Sequence, residues 1–231
     1  MNTIFQLLKM DRKHITRDPL LLLTLAAPLL MLALVKWALP LLPFSLVTKH
    51  PLILGALLLM TPLMIGLLAG FLMLEEKGQH LLRYYAVSPL RYHGYLFFRL
   101  LLPVTVSVFF SVVIIILYDT QGYPLLSLVP AVAAASLQAP VVMLASGSLA
   151  ANKVEGLALS KLLNIILLLS AALPLFSGWW TYAAYFFPAA WFMTAFQTQY
   201  FIVQCFLFSG CLLVSLGWAV YFWKRLLRLQ E

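Results

Sequence analysis

The sequence predicts an all-α integral membrane protein with six transmembrane helices. Three observations carry that reading. Hydrophobic residues fill 64% of the 231 positions and charged residues only 10%, apolar runs recur at membrane-spanning length, and the basic residues gather on one side of those runs. A soluble domain holds roughly 45–50% apolar and about 25% charged residues, and its exterior must be largely polar. The net charge of +8 is spread along a hydrophobic chain rather than set on a soluble face, which excludes nucleic-acid binding as the main reading.

The first element is a helix over residues 1–18, lying in the cytoplasmic interface. Ile4, Leu7, Leu8 and Ile15 share one face with Lys9, Lys13 and Arg17 opposite, and Asp11 is misplaced on the apolar side. The charged leader reaches Asp18, longer than a secretory n-region, and no A-x-A site follows, so no cleaved signal is expected. Asp18-Pro19 supplies an N-cap and a favoured first position for the first span.

A span needs about 20 apolar residues. Five windows qualify: Leu20–Leu39, Leu52–Leu74, Leu100–Tyr118, Leu125–Ala151 and Leu157–Leu175. From Leu162 to Trp223 there is no Asp, Glu, Lys, Arg or His, a run too long for one crossing. Charge parity divides it. Lys9, Arg12, Lys13, Arg17, Lys77, Arg83, Arg91, Arg99, Lys153, Lys161, Lys224, Arg225 and Arg228 fall on one side, against Lys36 and Lys49 on the other. Lys and Arg favour the cytoplasmic side of short loops, so both termini are cytoplasmic and an even number of crossings separates Lys161 from Lys224. Six spans follow, with an external excursion over 176–198 between the fifth and sixth. Its Trp179, Trp180, Tyr182, Tyr185, Phe186, Phe187, Trp191, Phe192 and Phe196 surround Pro188. Such rings prefer the headgroup level. Two short helices broken at Pro188 are expected to dip back into the outer leaflet as a re-entrant segment, their backbone groups satisfied by protein or water. The segment reads as an interface anchor or, more sharply, as an external gate carried by Trp179, Trp180, Phe187, Pro188 and Trp191.

Several chemistries are missing. No G-x-x-x-x-G-K-[ST] occurs, so the chain has no P-loop for ATP. No ionisable residue falls at the middle of a window, as ion-coupled carriers usually require. Ser146-Gly147-Ser148 has no histidine in the membrane to act as base and is better read as close helix packing. Cys205 and Cys211, six residues apart on one helix, cannot bridge each other there and read as small hydrophobes in lipid. The chain is expected not to be an enzyme, and to hold no metal or cofactor of its own.

The main cytoplasmic feature is the loop over 75–95. Gly78 can end the second span, and Gln79 to Ala86 can form a short helix carrying Leu81, Leu82 and Tyr85. Ser88-Pro89 restarts a helix through Arg91 into the third span. This is a docking element for a cytoplasmic partner, or else a solvated connector. Glu76-Lys77-x-x-x-Leu81-Leu82 followed by Ser88-Pro89-Leu90, then Asn152-Lys153-Val154-Glu155-Gly156-Leu157-Ala158 with Lys161, then Phe187-Pro188-x-x-Trp191, together resemble the membrane subunits of ABC-2-type exporters, including those grouped with drug exporters. The resemblance covers nearly the whole chain, departing from the commonest pattern at Gly78-Gln79.

That resemblance implies a permease subunit forming half of a pathway in the cytoplasmic membrane of a prokaryote. It would pair with a second permease chain, identical or sister, and with separate ATP-binding subunits that carry the ATP and Mg. Glu75 and Glu76 would meet the ATPase subunit or nearby basic groups, and Leu81, Leu82, Tyr84 and Tyr85 would dock in its groove. Ser88 and Pro89 would fix the hinge, with Gly78 and Arg91 at its ends, and Asn152, Lys153 and Glu155 would form a second contact. The cargo would be hydrophobic or amphipathic. A haem-export membrane subunit and a non-transporting scaffold or channel subunit are the alternatives.

Overall fold

The computed structural model describes residues 2–38, 41, 50–79, 91–118, 125–172, 176, 178 and 181–228. Regular structure among them is helical: α1 Asn2–Arg17, α2 Pro19–Ala38, α3 His50–Gly78, α4 Arg91–Leu117, α5 Leu125–Ser136, α6 Gln138–Leu149, α7 Lys153–Ala172, α8 Thr181–Ala184, α9 Pro188–Ala195 and α10 Phe201–Arg228. Five stretches are long and apolar enough to cross a membrane: α2, most of α3, most of α4, α5 with α6, and α10. At 20 residues, α7 has the length of a span, about 30 Å.

Small residues set the centre of the bundle. On α3, a Cβ at Gly66 would stand 2.5 Å from the Ala139 carbonyl oxygen, and one at Gly70 would stand 2.8 Å from Cβ of Ser146. In return Gly147 on α6 receives the Met73 sulfur, and Gly156 on α7 receives Leu74. Lipid tails are as apolar as Leu, so helices gain little from hiding apolar surface from them; close approach and dispersion hold the seam instead. Ser146-Gly147-Ser148 serves this packing, as the sequence predicts.

Burial divides the spans. It reaches 72% over the spanning windows of α3 and of α5–α6, but 17% over α2 and 22% over α10. The outer helices therefore present their apolar side chains outward, among them Leu23, Ile116 and Ile202. In water this surface would be a large liability; in lipid it costs nothing.

Several expectations need correction. The fourth span is not one helix: α5 stops at Ser136, Leu137 forms a turn, and α6 begins at Gln138. Pro140 explains the break, because it has no N–H for the Ser136 carbonyl and its ring crowds that oxygen. Cys211 does not face lipid. It is fully buried beside the break, where its thiol donates to the Ala134 carbonyl at 3.8 Å and receives Gln138 Nε2 at 3.7 Å. The helix of the third span runs from Arg91 as expected, and it takes in Arg99, which the apolar window Leu100–Tyr118 left outside. Asp18 caps α2 as expected, accepting the Leu20 N–H at 2.9 Å.

Lys36, one of the two basic residues on the minority side, also has a structural use. Its Nζ donates to the Leu117 carbonyl at 2.9 Å. The last carbonyls of a helix have no partner within it and carry partial negative charge, so a lysine there is favourable.

Candidate functional site

Two places hold groups that a lipid environment could not satisfy. The first lies at the charged end of the bundle, where α1 crosses the ends of α3, α4 and α7. Asp11, Glu76 and Arg99 are 5%, 6% and 3% exposed. Arg99 Nη1 donates to Asp11 at 2.6 Å, and Nη2 stands 3.2 Å from Glu76, which also accepts the Tyr95 hydroxyl. A buried guanidinium is tolerable because carboxylates lie beside it; among the described residues its Nε and Nη2 have no hydrogen-bond partner, so charge rather than hydrogen bonding holds it there. Asp11, misplaced by periodicity alone, is the residue that ties α1 to α4.

Around this knot runs a more exposed ring. Glu75 meets His14 at 3.0 Å and Lys153 at 3.6 Å, and Lys153 also pairs with Asp18. The Lys153 hydrogen bond holds the Asp18 carboxyl below its usual range. Lys77 donates to the Ala150 carbonyl at 3.1 Å, closing the end of α6. Asn152 and Glu155 form a reciprocal cap on α7: Asn152 Oδ1 accepts the Glu155 N–H at 2.9 Å, and Glu155 Oε2 accepts the Ala151 N–H at 2.8 Å. Both residues are exposed.

The structure thus brings Glu75, Glu76, Lys153 and α1 together and places Asn152 and Glu155 beside them. Gly78 ends α3 and Arg91 opens α4. Leu81, Leu82, Tyr84, Tyr85, Ser88 and Pro89 lie outside the described residues. Spacing alone could not have found Arg99, Tyr95, Lys77 or His14, because their partners are distant in sequence. The one local signal was a charged residue, Asp11, on an otherwise apolar face.

The second place is the hairpin of α8 and α9, divided at Phe187 with Pro188 in the first turn of α9. Phe187 stacks on Trp218 at 6.3 Å and 4°. Trp191 fills the notch at Gly210, and Phe192 and Phe196 meet Phe208. Trp218 is about 25 Å along α10 from Phe201 and about 15 Å from Arg228, so the tip of the hairpin sits well down the bundle. Its carbonyls are not left bare. Trp191 Nε1 donates to Tyr185 O at 2.7 Å, and Trp218 Nε1 donates to Phe186 O at 3.1 Å. Irregular backbone in apolar surroundings requires such partners. Trp179 and Trp180 lie outside the described residues.

Beneath this tip, between α6, α7 and α10, is a cavity of about 370 Å³ with almost wholly apolar walls. Phe187 and Pro188 roof it, and Arg225 lies toward the charged end. On the other side of Trp218 and Tyr221 is a more open groove of about 610 Å³ that includes Tyr185, Phe186 and Gly217. The chain therefore offers an apolar chamber lined at one end by the turn at Phe187 and Pro188. Among the described residues no group of His, Cys, Asp and Glu is arranged to hold a metal.

Comparison with known proteins agrees with the resemblance read from the sequence. A profile described as "Fluoroquinolones export permease protein Rv2686c-like" matches residues 11–223. Fluoroquinolones export permease proteins from two strains of Mycobacterium tuberculosis are each 31% identical over 200 residues, covering 80% of this chain and 78% of theirs. No solved structure matches.

Proposed function

The chain belongs to the family of Rv2686c-like fluoroquinolones export permease proteins, and from that premise we propose that it is the ABC-2-type membrane subunit of an exporter driven by a separate ATP-binding subunit. The observation that carries this is the match over residues 11–223, which spans nearly the whole bundle. Two permease chains, identical or paired with a sister, would complete the pathway, since one chain supplies only half the helices of a typical exporter. In this reading α7 is the fifth of six spans and the hairpin of α8 and α9 is re-entrant from the outside. The charged end faces the cytoplasm of a prokaryotic cell, in keeping with the distribution of Lys and Arg. ATP and Mg belong to the partner.

Coupling would run through residues 75–95. The polar contacts of Glu75 and Glu76 with α1, α4 and α7 support it, because a push on the loop would be passed to four helices rather than absorbed by a slack connector. The exposed cap of Asn152 and Glu155 offers the second contact. Movement at this end would release the roof at Phe187 and Pro188 and open the chamber outward. The cargo is hydrophobic or amphipathic, with fluoroquinolones, named for the relatives, as the first class to assay.

The test is co-purification of the full chain in detergent, with mass spectrometry of the ATP-binding protein retained. Changing Leu82 and Tyr85 together to alanine should release that partner. Anchor truncations commonly cost at least ~2 kcal/mol each and add imperfectly, so a drop in affinity of roughly 30- to 700-fold is expected. A double variant that inserts normally and keeps both partner and export overturns the coupling assignment.

A further inference from the structure

We propose that the chamber beneath Phe187 is a binding seat within one subunit for a flat aromatic molecule carrying a single negative charge. The inference rests on the exporter reading and adds a location and a ligand chemistry to it. On one side the walls are aliphatic, as at Val142 and Leu163. On the other, Phe187 and Phe222 both lie nearly parallel to Trp218, at 4° and 22°. Such a stack forms one wall and leaves an end face on which a planar ring system can lie, and such contacts add to simple burial. A volume of about 370 Å³ falls in the range of small-molecule pockets.

Polarity is concentrated at the ends. Gln138, 4% exposed, opens α6 at the inner end of the chamber, with only the weak acceptor Cys211 Sγ bound to its amide nitrogen. Arg225 lies seven residues beyond Trp218 on α10, about 10 Å along the helix. No carboxylate lines the chamber, and among the described residues none pairs with Arg225. A guanidinium at the mouth of a dry cavity attracts an anion and disfavours a second cation. A carboxylate there would form a charge-assisted pair, while an acceptor on the far edge of the ring would meet the Gln138 amide. An aliphatic chain would gain nothing from the ring wall, and a dianion would have to bury a charge without a partner.

The test uses the full chain in nanodiscs of neutral phosphatidylcholine and measures equilibrium binding of nalidixic acid, a two-ring aromatic carboxylate, and of its methyl ester. The acid should bind about tenfold more tightly than the ester. Arg225→Gln should erase that preference by weakening the acid alone, and Arg225→Lys should keep most of it. Leu163→Trp, which fills the chamber, should weaken both ligands by more than tenfold; Val141→Phe fills it from α6, should the first variant fail to fold. No binding to the native chain, equal binding of acid and ester, or unchanged binding when the chamber is filled would each overturn the seat. A lipid acyl chain or a site elsewhere would give that last result. Export that continues unchanged in Leu163→Trp removes the seat and leaves the exporter standing. The expected binding pattern, without ATP-driven export by chain and partner together, keeps the seat and removes the exporter reading.

Discussion

The charged end and the aromatic hairpin solve one problem with opposite chemistries. Each holds polar groups where lipid offers no partner. At the charged end, full charges meet across three helices, with Arg99 between Asp11 and Glu76. At the hairpin, two indole N–H groups satisfy the carbonyls of Tyr185 and Phe186, and no charge is involved. The difference teaches where each region can yield. Removing Arg99 leaves two buried carboxylates without a counter-charge, so that end moves as a unit. A hairpin tip held by two neutral hydrogen bonds and stacked rings can part from α10 at modest cost.

The largest effect should come from breaking the knot unevenly. Arg99→Leu leaves two buried carboxylates uncompensated and should cost about 3–5 kcal/mol, read as a large fall in the melting temperature of detergent-purified protein. Replacing all three members, as Asp11→Asn, Glu76→Gln and Arg99→Met, should recover much of that loss, because no charge is then stranded. A single variant as stable as the parent would mean the knot is open to water.

Next comes the seam that both regions lean on. Gly66→Leu drives a side chain into the Ala139 backbone, which cannot give way as a flexible side chain could. Overpacking of this kind typically costs about 1–3 kcal/mol. Loss of a disulfide engineered between α3 and α6 would report the separation. Gly217→Ala, where a Cβ meets nothing within 4 Å, should not destabilise, and the gain in helix propensity is up to about 1 kcal/mol.

Trp218→Phe sharpens the comparison from the hairpin side. The ring wall survives, but the Phe186 carbonyl loses its donor, at a cost of about 1–3 kcal/mol if no other donor replaces it. Faster hydrogen exchange should be confined to residues 181–195, with the charged end unaffected. If exchange rises equally at both ends, the two regions are not separable.

The smallest effect concerns acid. The Lys153 bond lowers the Asp18 pKa in the folded chain, so this pair contributes stability above the ordinary carboxylate range near 4 and loses it as pH falls through the lower folded value. Around neutrality nothing should change. Asp18→Asn should flatten the acid limb of the melting curve below about pH 4, and an identical limb in the variant would show that the exposed pair contributes nothing measurable.

The same contrast governs what could be read in advance. The hairpin's helix break was legible because its signals are local: Pro188 lies within a cluster of rings, and Trp191 is six residues from its acceptor. The cap at Asp18 and most of the spans were legible for the same reason, through periodicity and length. The knot was not. Asp11 and Arg99 are 88 residues apart, and one-dimensional reading could only mark Asp11 as out of place. Lys36 seemed an exception to the charge rule because its acceptor, Leu117, is 81 residues away. The break at Leu137 had a local cause in Pro140, but a long apolar run hid it, and the role of Cys211 depends on that break.

The central claim is that the chamber opens toward the charged end and is closed toward the other by Phe187 and Pro188 until ATP acts. The direct measurement is thiol accessibility of Leu163→Cys in a Cys205→Ala background, with Cys211 retained because it is fully buried. The chain would be reconstituted in proteoliposomes with the ATP-binding partner that co-purifies with it. Without nucleotide, an impermeant reagent should modify position 163 only from the side bearing the charged end. With the partner trapped by a non-hydrolysable ATP analogue, modification should switch to the opposite side. Labelling from the same side in both states would contradict the claim, leaving the hairpin as an anchor and not a gate.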